Sequence, residues 1–160
     1  MAKLSRRHFN LLIISAFVLT GLFVILVGVL GRTDSSSATV RLGDQLFKAN
    51  IAETDEEKAR GLSGVDRLED DEALLFVNDS DKMNRIWMKD MNFAIDVVWL
   101  SGDWRVVHIE RSLQPSSYPN IYSPNVTTRY VVELPEGSVS RHSIKVGSYA
   151  KINYKDGGDR

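Results

Sequence analysis

Two hydrophobic patterns divide the chain. Residues 11–30 form one uncharged apolar run, whereas the later residues alternate short apolar runs with polar turns. As a helix rising about 1.5 Å per residue, the run would reach about 30 Å, the thickness of bilayer hydrocarbon. A small soluble domain rarely encloses a helix that is apolar on every side. The pattern therefore predicts a transmembrane helix over residues 11–30.

The later residues predict a mainly β domain, because their short runs are rich in β-branched and aromatic side chains. Seven strands are expected, at residues 45–52, 73–77, 85–88, 95–100, 104–109, 128–134 and 148–153. Gly102 lies in a turn that predicts a hairpin between the fourth and fifth of them. Thr54 and Glu57 form a capping box that predicts one short helix ending at Gly61. We expect an antiparallel sandwich or a partly closed barrel with one short helix.

The proline-rich segment at residues 112–126 contains three prolines and cannot be a central strand, because proline lacks the donor that a strand ladder needs. It is expected to be a long ordered loop. Loops of this length usually have a purpose, so it is expected to frame a site or to cover an open end of the sheet.

Charge predicts the orientation of the apolar run. Lys3, Arg6 and Arg7 precede it, whereas from Asp34 onward 16 basic residues face 21 acidic ones, a net charge of -5. Positive flanks stay cytoplasmic. We expect a cytoplasmic flank at 1–10, a membrane helix at 11–30, a Ser-rich linker at 31–37 and an extracytoplasmic β domain at 38–160. The alternative is a signal peptide cleaved after Ala38, which would release a soluble exported protein.

Composition excludes several function classes. The chain has no cysteine, which removes disulfides, cysteine nucleophiles and cysteine zinc sites. The acidic remainder argues against nucleic acid as a partner. His108 and His142 are the only histidines after residue 37 and lack the spacing of a metal pair, and no phosphate loop or dinucleotide fingerprint occurs. We therefore predict no metal and no cofactor. The partner expected for the apolar run at residues 11–30 is membrane lipid.

Aromatic and charged side chains that could contact a ligand are densest where the third and fourth predicted strands meet. Trp87 offers a flat stacking surface, while Lys89, Asp90 and Asp96 supply charges of both signs, a combination suited to a small polar ligand or a glycan. Three further candidates complete the predicted ligand-binding set: Arg60, Arg129 and Glu133. The alternative is that these residues are core side chains and solvated ion pairs. A buried Glu133 or Asp96 would need a cationic partner, because an unpaired buried charge is costly.

The sequence also resembles a known family, the domain of unknown function 192. The resemblance rests on motifs in matching order: Arg60-Gly61-Leu62, Ala73-Leu74-Leu75-Phe76, Trp87-Met88-Lys89, Ile95-Asp96, Tyr130-Val131-Val132-Glu133-Leu134, Gly137 and Gly147. The chain departs from the family at Ala73, at Asp90-Met91 and at Ala94, where Gly, Asn-Thr and Pro are common. The resemblance implies a compact β sandwich with a helix, often behind a signal or membrane anchor, and no established activity.

These observations favour a binding or structural module over an enzyme. The expected partner is a small polar ligand, a glycan or another protein. The rival hypothesis is a hydrolase or lyase that uses Asp96 or Glu133 as a base and Lys89 as an electrostatic stabiliser. Convergence of these groups in one pocket would favour the enzyme.

Overall fold

The computed structural model describes residues 36–154. Within these residues the chain forms seven strands, two short α-helices and one 3₁₀ turn at Pro115–Ser117. The strands are β1 (Ser37–Leu42), β2 (Gln45–Ala52), β3 (Glu72–Lys82), β4 (Ile95–Leu100), β5 (Val106–Leu113), β6 (Thr128–Pro135) and β7 (Lys151–Tyr154), and the helices are α1 (Asp55–Arg60) and α2 (Ser138–Arg141).

The seven strands belong to one sheet in the order β5-β4-β6-β3-β2-β1-β7. Neighbouring strands are antiparallel except β2 and β3, which run parallel and are joined by a crossover that contains α1. The mainly β prediction is confirmed, but the expected sandwich is wrong because there is only one sheet in this part of the chain. The ladder is not a closed barrel, although one bridge, Arg105 with Tyr149, links the start of β5 to the residues before β7.

Both faces of the sheet are covered, because alternate residues of the central strands enter two separate hydrophobic clusters. Leu75, Val98 and Val132 belong to the first cluster, which α2 helps to cover. The second cluster covers the opposite face and contains Leu62, Leu74, Phe76, Ile86, Met88, Ile95, Val97, Trp99 and Val131. Every residue of β4 is buried as a result. A charged group in β4 or β6 therefore meets a low dielectric on either face.

The predicted boundaries agree with the structure for some of the apolar runs and fail for others. Strands at 45–52 and 95–100 are confirmed to the residue as β2 and β4. The strand predicted at 85–88 is wrong, since only Ile86 forms a bridge, to Tyr122 of the proline-rich loop. The linker prediction runs one residue too far, because Ser37 begins β1. Helix α2 was not expected, since its four residues are too few to show a helical period.

The capping box at the start of α1 is confirmed. The Thr54 hydroxyl accepts a hydrogen bond from the Glu57 amide at 3.2 Å, and the Glu57 carboxylate accepts one from the Thr54 amide at 2.9 Å. Hydrogen bonds from the main-chain amides of Thr54 and Glu53 hold the pKa of Glu57 below its usual value. Gly61 ends the helix with φ 51° and ψ -129°, a positive-φ conformation outside the left-handed helical region that was expected.

The predicted hairpin between β4 and β5 is confirmed, but its turn differs from the expectation. Trp104, with φ 66°, takes the positive-φ position expected at Gly102. The two flanking tryptophans lie on opposite faces of the sheet. Trp99 is fully buried in the second cluster, whereas Trp104 stacks on Tyr130 with ring centroids 3.5 Å apart.

The predicted membrane helix, residues 11–30, lies outside the described residues. Within residues 36–154, no helix has the length and apolar character needed to cross a membrane.

Asp96 is fully buried in β4 and joins three elements. Its Oδ1 accepts a hydrogen bond from the Ser112 amide near the end of β5, and its Oδ2 accepts one from the Val139 amide in α2, each at 2.9 Å. No described salt bridge includes Asp96, so the two main-chain donors take the place of the cation expected from the sequence. Charge-assisted bonds of this kind are about twice as strong as neutral ones.

We expect Asp96→Asn to lower the free energy of unfolding by about 3 kcal/mol, because its amide nitrogen would face a main-chain donor in a buried position. Urea unfolding of the purified chain at pH 7 measures the change. Asp81→Asn is the matched control, since Asp81 forms an exposed ion pair with Arg129 at 3.0 Å. Pairs of that kind contribute less than about 1 kcal/mol. Equal losses in the two variants would contradict a structural role for Asp96.

Candidate functional site

A cleft of about 270 Å³ opens between α1, the segment that follows β3, and the second hydrophobic face of the sheet. Three kinds of residue line it. The floor is formed by Gly61, Leu62, Phe76, Ile86, Val131 and Glu133, the rim carries Asp55, Lys58, Arg60, Lys82 and Arg85, and the remaining wall includes Ala59, Ser63, Met83, Asn84, Trp87 and Met91. The volume suits a small metabolite rather than a folded partner.

Glu133 places a carboxyl group at the floor of this cleft. The residue is 4% exposed, and its Oε2 atom has no hydrogen-bond partner among the described residues. Its register neighbours, Leu74 in β3 and Val97 in β4, are apolar. Burial alone raises the pKa of Glu133 to about 8. A carboxyl group with this pKa is mainly protonated at neutral pH, so Glu133 has one O–H to donate, and residues 36–154 provide no hydrogen-bond partner for its Oε2.

Gly61 keeps the space above this carboxyl open. A Cβ at this position would lie 3.7 Å from Glu133 Oε2 and 3.6 Å from the ring of Phe76. Side chains other than hydrogen are also disfavoured there, because φ is positive at 51°. The glycine thus allows the end of α1 to pass close over β6 without filling the floor of the cleft.

Four cations, Lys58, Arg60, Lys82 and Arg85, form what we call the cationic rim. They face one carboxylate, Asp55, so with Glu133 neutral the lining carries a net charge of +3. Partial burial lowers the pKa of Lys58, and the nearby charge of Lys82 lowers it further. Arg85 is exposed and makes no ion pair or side-chain hydrogen bond with the other described residues. The rim is therefore available to an anion from solvent.

An apolar wall faces solvent beside the rim. Trp87 is 40% exposed and Met83 is 46% exposed, although both belong to a part of the chain whose alternate residues are buried. Exposed aromatic and thioether side chains at a concave surface are typical of ligand contacts. A planar or apolar part of a ligand could rest on this wall.

Two buried asparagines hold the segment that carries the wall. Asn78 in β3 donates to Asn84 Oδ1 at 3.0 Å, and Asn84 donates to the main chain of Thr128 at 2.7 Å. Lys58 of the rim donates to Asn78 Oδ1 at 3.1 Å. The Trp99 indole completes the network by donating to the Asn84 carbonyl. A fully bonded network of this kind fixes the position of the rim relative to the sheet.

The structure brings together three of the seven residues proposed from the sequence: Arg60, Trp87 and Glu133 all line the cleft. The other four lie elsewhere. Lys89 and Asp90 are exposed in the loop before β4, Asp96 is buried on the opposite face, and Arg129 pairs with Asp81. Ligand binding by these four residues stays a prediction without support from the cleft.

Sequence reasoning overlooked Lys82, Met83 and Arg85. A usable signal existed for Arg85, because alternation in the 85–88 run places it on the same side as Trp87. The predicted strand ended at residue 77, whereas β3 extends to Lys82, so nothing in the local pattern indicated where Lys82 and Met83 would lie. Among residues 36–154, no group of three His, Asp or Glu side chains could hold a metal ion.

Comparison with known proteins places this domain in a family. The family described as DUF192, "Uncharacterized ACR", matches residues 38–152, which span most of the chain and the whole cleft. The chain belongs to the DUF192 family. The resemblance predicted from the sequence motifs is therefore confirmed. No curated protein matches the chain.

Two solved structures resemble the DUF192 domain. A protein of unknown function from Novosphingobium aromaticivorans is 26% identical, with a TM-score of 0.66, over 72% of this chain and 83% of that one. A proposed transcription regulator from Sinorhizobium meliloti is 19% identical, also with a TM-score of 0.66, over 74% of this chain and 92% of its own. At that identity the second likeness shows the fold alone.

Glu133 predicts an unusual pH dependence of stability. Its pKa is about 8 in the folded chain against an ordinary 4.5, so between these values the folded state binds more protons than the unfolded state. The contribution of Glu133 to the free energy of unfolding is therefore at its maximum below pH 4.5 and is lost as the pH rises toward 8. Each pH unit in that window costs up to about 1.4 kcal/mol.

We expect Glu133→Gln to remove this dependence. Thermal unfolding of both proteins from pH 5 to pH 9 measures it as a difference in melting temperature, in which all shared titrations cancel. The melting temperature of the variant should increase relative to that of the wild type as the pH rises. Parallel curves would show that Glu133 is ionised in the folded chain.

Proposed function

We propose that this DUF192 domain is a binding module that holds a small polar ligand or glycan in the cleft over Glu133. The observation that carries the proposal is a buried carboxyl group that lines a solvent-accessible cleft and whose Oε2 has no hydrogen-bond partner in the described part of the chain. Burying a polar group without a hydrogen bond costs about 1–3 kcal/mol, so it is rarely retained without a role. A ligand that supplies the missing hydrogen bond recovers that free energy on binding.

Binding is favoured over catalysis by the arrangement of the proposed acid and base groups. The rival hypothesis needs Lys89 close to its base, Asp96 or Glu133, and Lys89 does not line the cleft that holds Glu133. Both oxygens of Asp96 are already occupied by main-chain donors. One observation keeps the rival as a second candidate: the pKa of Glu133, about 8, suits proton transfer near neutral pH. In that case Glu133→Gln would bind substrate but not turn it over.

We further propose that residues 11–30 anchor the chain in a membrane with the amino terminus cytoplasmic and the DUF192 domain extracytoplasmic. The support is the uncharged apolar run with its positive leading flank. Release by cleavage after Ala38 fits the domain less well. Ala38 is 1% exposed and pairs with Ala49 and Tyr154, so cleavage there would remove the start of β1.

A ligand screen tests the binding function. Thermal-shift measurements on the full-length chain with sugars, nucleotides, amino acids and organic acids should find compounds that raise the melting temperature, because a ligand selective for the folded state stabilises it by mass action. Trp87→Ala should reduce that shift by removing the stacking surface. Lys145→Ala, at an exposed position outside the cleft, is the control and should leave it unchanged. Equal shifts in both variants would place the ligand elsewhere.

Fractionation and protease access test the anchor. The intact chain should sediment with membranes, and its folded domain should be cleaved by protease added to intact cells or spheroplasts. Deletion of residues 11–30 should leave the chain in the cytosol and protected. A soluble product that begins at Thr39 would support the cleaved alternative, and a protected wild-type domain would contradict the proposed orientation.

A further inference from the structure

The charges of the cleft restrict the ligand further. The domain as a whole is acidic, with 16 basic and 21 acidic residues from Asp34 onward, yet the cleft lining carries a net charge of +3 with Glu133 neutral. Four cations converge there from different elements: Lys58 and Arg60 from α1, Lys82 from the end of β3 and Arg85 from the segment after it. An anion is attracted to such a rim, whereas a cation is repelled.

The floor of the cleft requires a different group from the rim. No cation of the rim bonds to Glu133, whose Oε2 is buried without a partner beneath Gly61. A ligand anion pushed onto this carboxyl would meet apolar neighbours and no compensating charge. A neutral acceptor, such as an amide or ketone carbonyl, would instead take the hydrogen bond that the carboxylic acid can donate.

An ammonium group could also satisfy Glu133, by ionising it. That group would first have to pass the cationic rim and then lose its hydration in an apolar floor. Both steps are unfavourable, whereas a neutral carbonyl avoids both. The geometry thus separates the cleft into an anion-binding rim and a carbonyl-binding floor, and the half-exposed Trp87 ring forms part of the wall.

We propose that the cleft binds a small carboxylate or phosphate whose anionic group lies in the cationic rim and whose uncharged end presents a carbonyl oxygen to Glu133. This inference rests on the binding function proposed above and names its ligand class. The apolar part that connects the two ends lies against Trp87.

Matched probes test the two ends separately. At pH 7, titration calorimetry on the full-length chain should detect 4-carbamoylbenzoate, which has a carboxylate and an amide carbonyl. Benzamide lacks the anion, and 4-(aminomethyl)benzoate replaces the carbonyl with an ammonium; each should bind at least about tenfold more weakly, the size of one lost charge-assisted hydrogen bond. Equal or tighter binding of either probe would overturn the assignment of that end.

Charge reversal at the rim provides the matched variant. Arg85→Glu should weaken the binding of 4-carbamoylbenzoate about tenfold, since it replaces an attraction for the carboxylate with a repulsion. Lys145→Glu makes the same change in net charge at an exposed position outside the cleft and should have little effect. Equal losses would mean that only the overall charge matters and would contradict a localised rim.

The pH dependence of binding tests the floor. The charged groups that face Glu133 are Asp55, Lys58 and Arg60 from α1, Lys82 from β3 and Arg85 beyond it, while β3 and β4 present apolar residues in register. Between pH 7 and pH 9, wild-type affinity should fall severalfold as the donor proton is lost. Glu133→Gln keeps a donor at all pH values, so any decline that remains in this variant measures titration of Lys58 instead.

The outcomes separate the two proposals. A Trp87-dependent ligand from the wider screen that is cationic or neutral would leave the binding function in place and overturn the ligand class. If the screen finds no ligand whose binding depends on Trp87, both the binding function and the ligand class are contradicted. An affinity for 4-carbamoylbenzoate that rises with pH, or falls equally in wild type and Glu133→Gln, would overturn the role of the Glu133 proton.

Discussion

Burial of the central strands on both faces is the constraint on which the rest of this domain depends. A carboxyl group buried in β4 or β6 is largely shielded from bulk water on both faces, so the protein must supply its partners or leave it neutral. Asp96 and Glu133 represent the two solutions in neighbouring strands. Asp96 receives two main-chain hydrogen bonds and thereby ties α2 and the end of β5 to β4. Glu133 receives none at Oε2 and lies at the floor of a cleft, so the first group is structural and the second is chemically available.

The parallel β2–β3 pair explains why the cleft lies over β6. A parallel pair needs a crossover connection, and here the crossover carries α1 across one end of the sheet. The helix has no buried residue of its own, so its lysine and arginine stay at the surface while Gly61 passes close to Glu133. The topology therefore brings a cationic helix end and a buried carboxyl together without an ion pair between them. A side chain at residue 61 would occupy the space that separates them.

Local sequence patterns predicted the positions of individual strands and of the helix, which depend mainly on neighbouring residues. Runs rich in β-branched and aromatic residues predicted the bounds of β2 and β4, and the capping box at Thr54 located α1. The parallel pairing and the single sheet depend on contacts between residues far apart in sequence, so they were not predictable from the strand runs. The same division holds at the site. Strand alternation places Glu133 on the face opposite Val132, but no local pattern shows that this face is covered by Leu62, Ile86 and Met88 from elsewhere in the chain.

Electrostatic contrast is the basis of the selectivity that we propose for the cleft. On an acidic domain, the cationic rim concentrates positive charge that attracts small anions, and the net negative charge of the domain disfavours long polyanions. The attraction ends at the rim, because the floor beneath Gly61 offers a buried, mainly protonated carboxyl rather than a further cation. A purely anionic ligand such as inorganic phosphate would satisfy the rim and leave the floor unpaired. The two requirements together therefore discriminate by the neutral end of the ligand as much as by its charge.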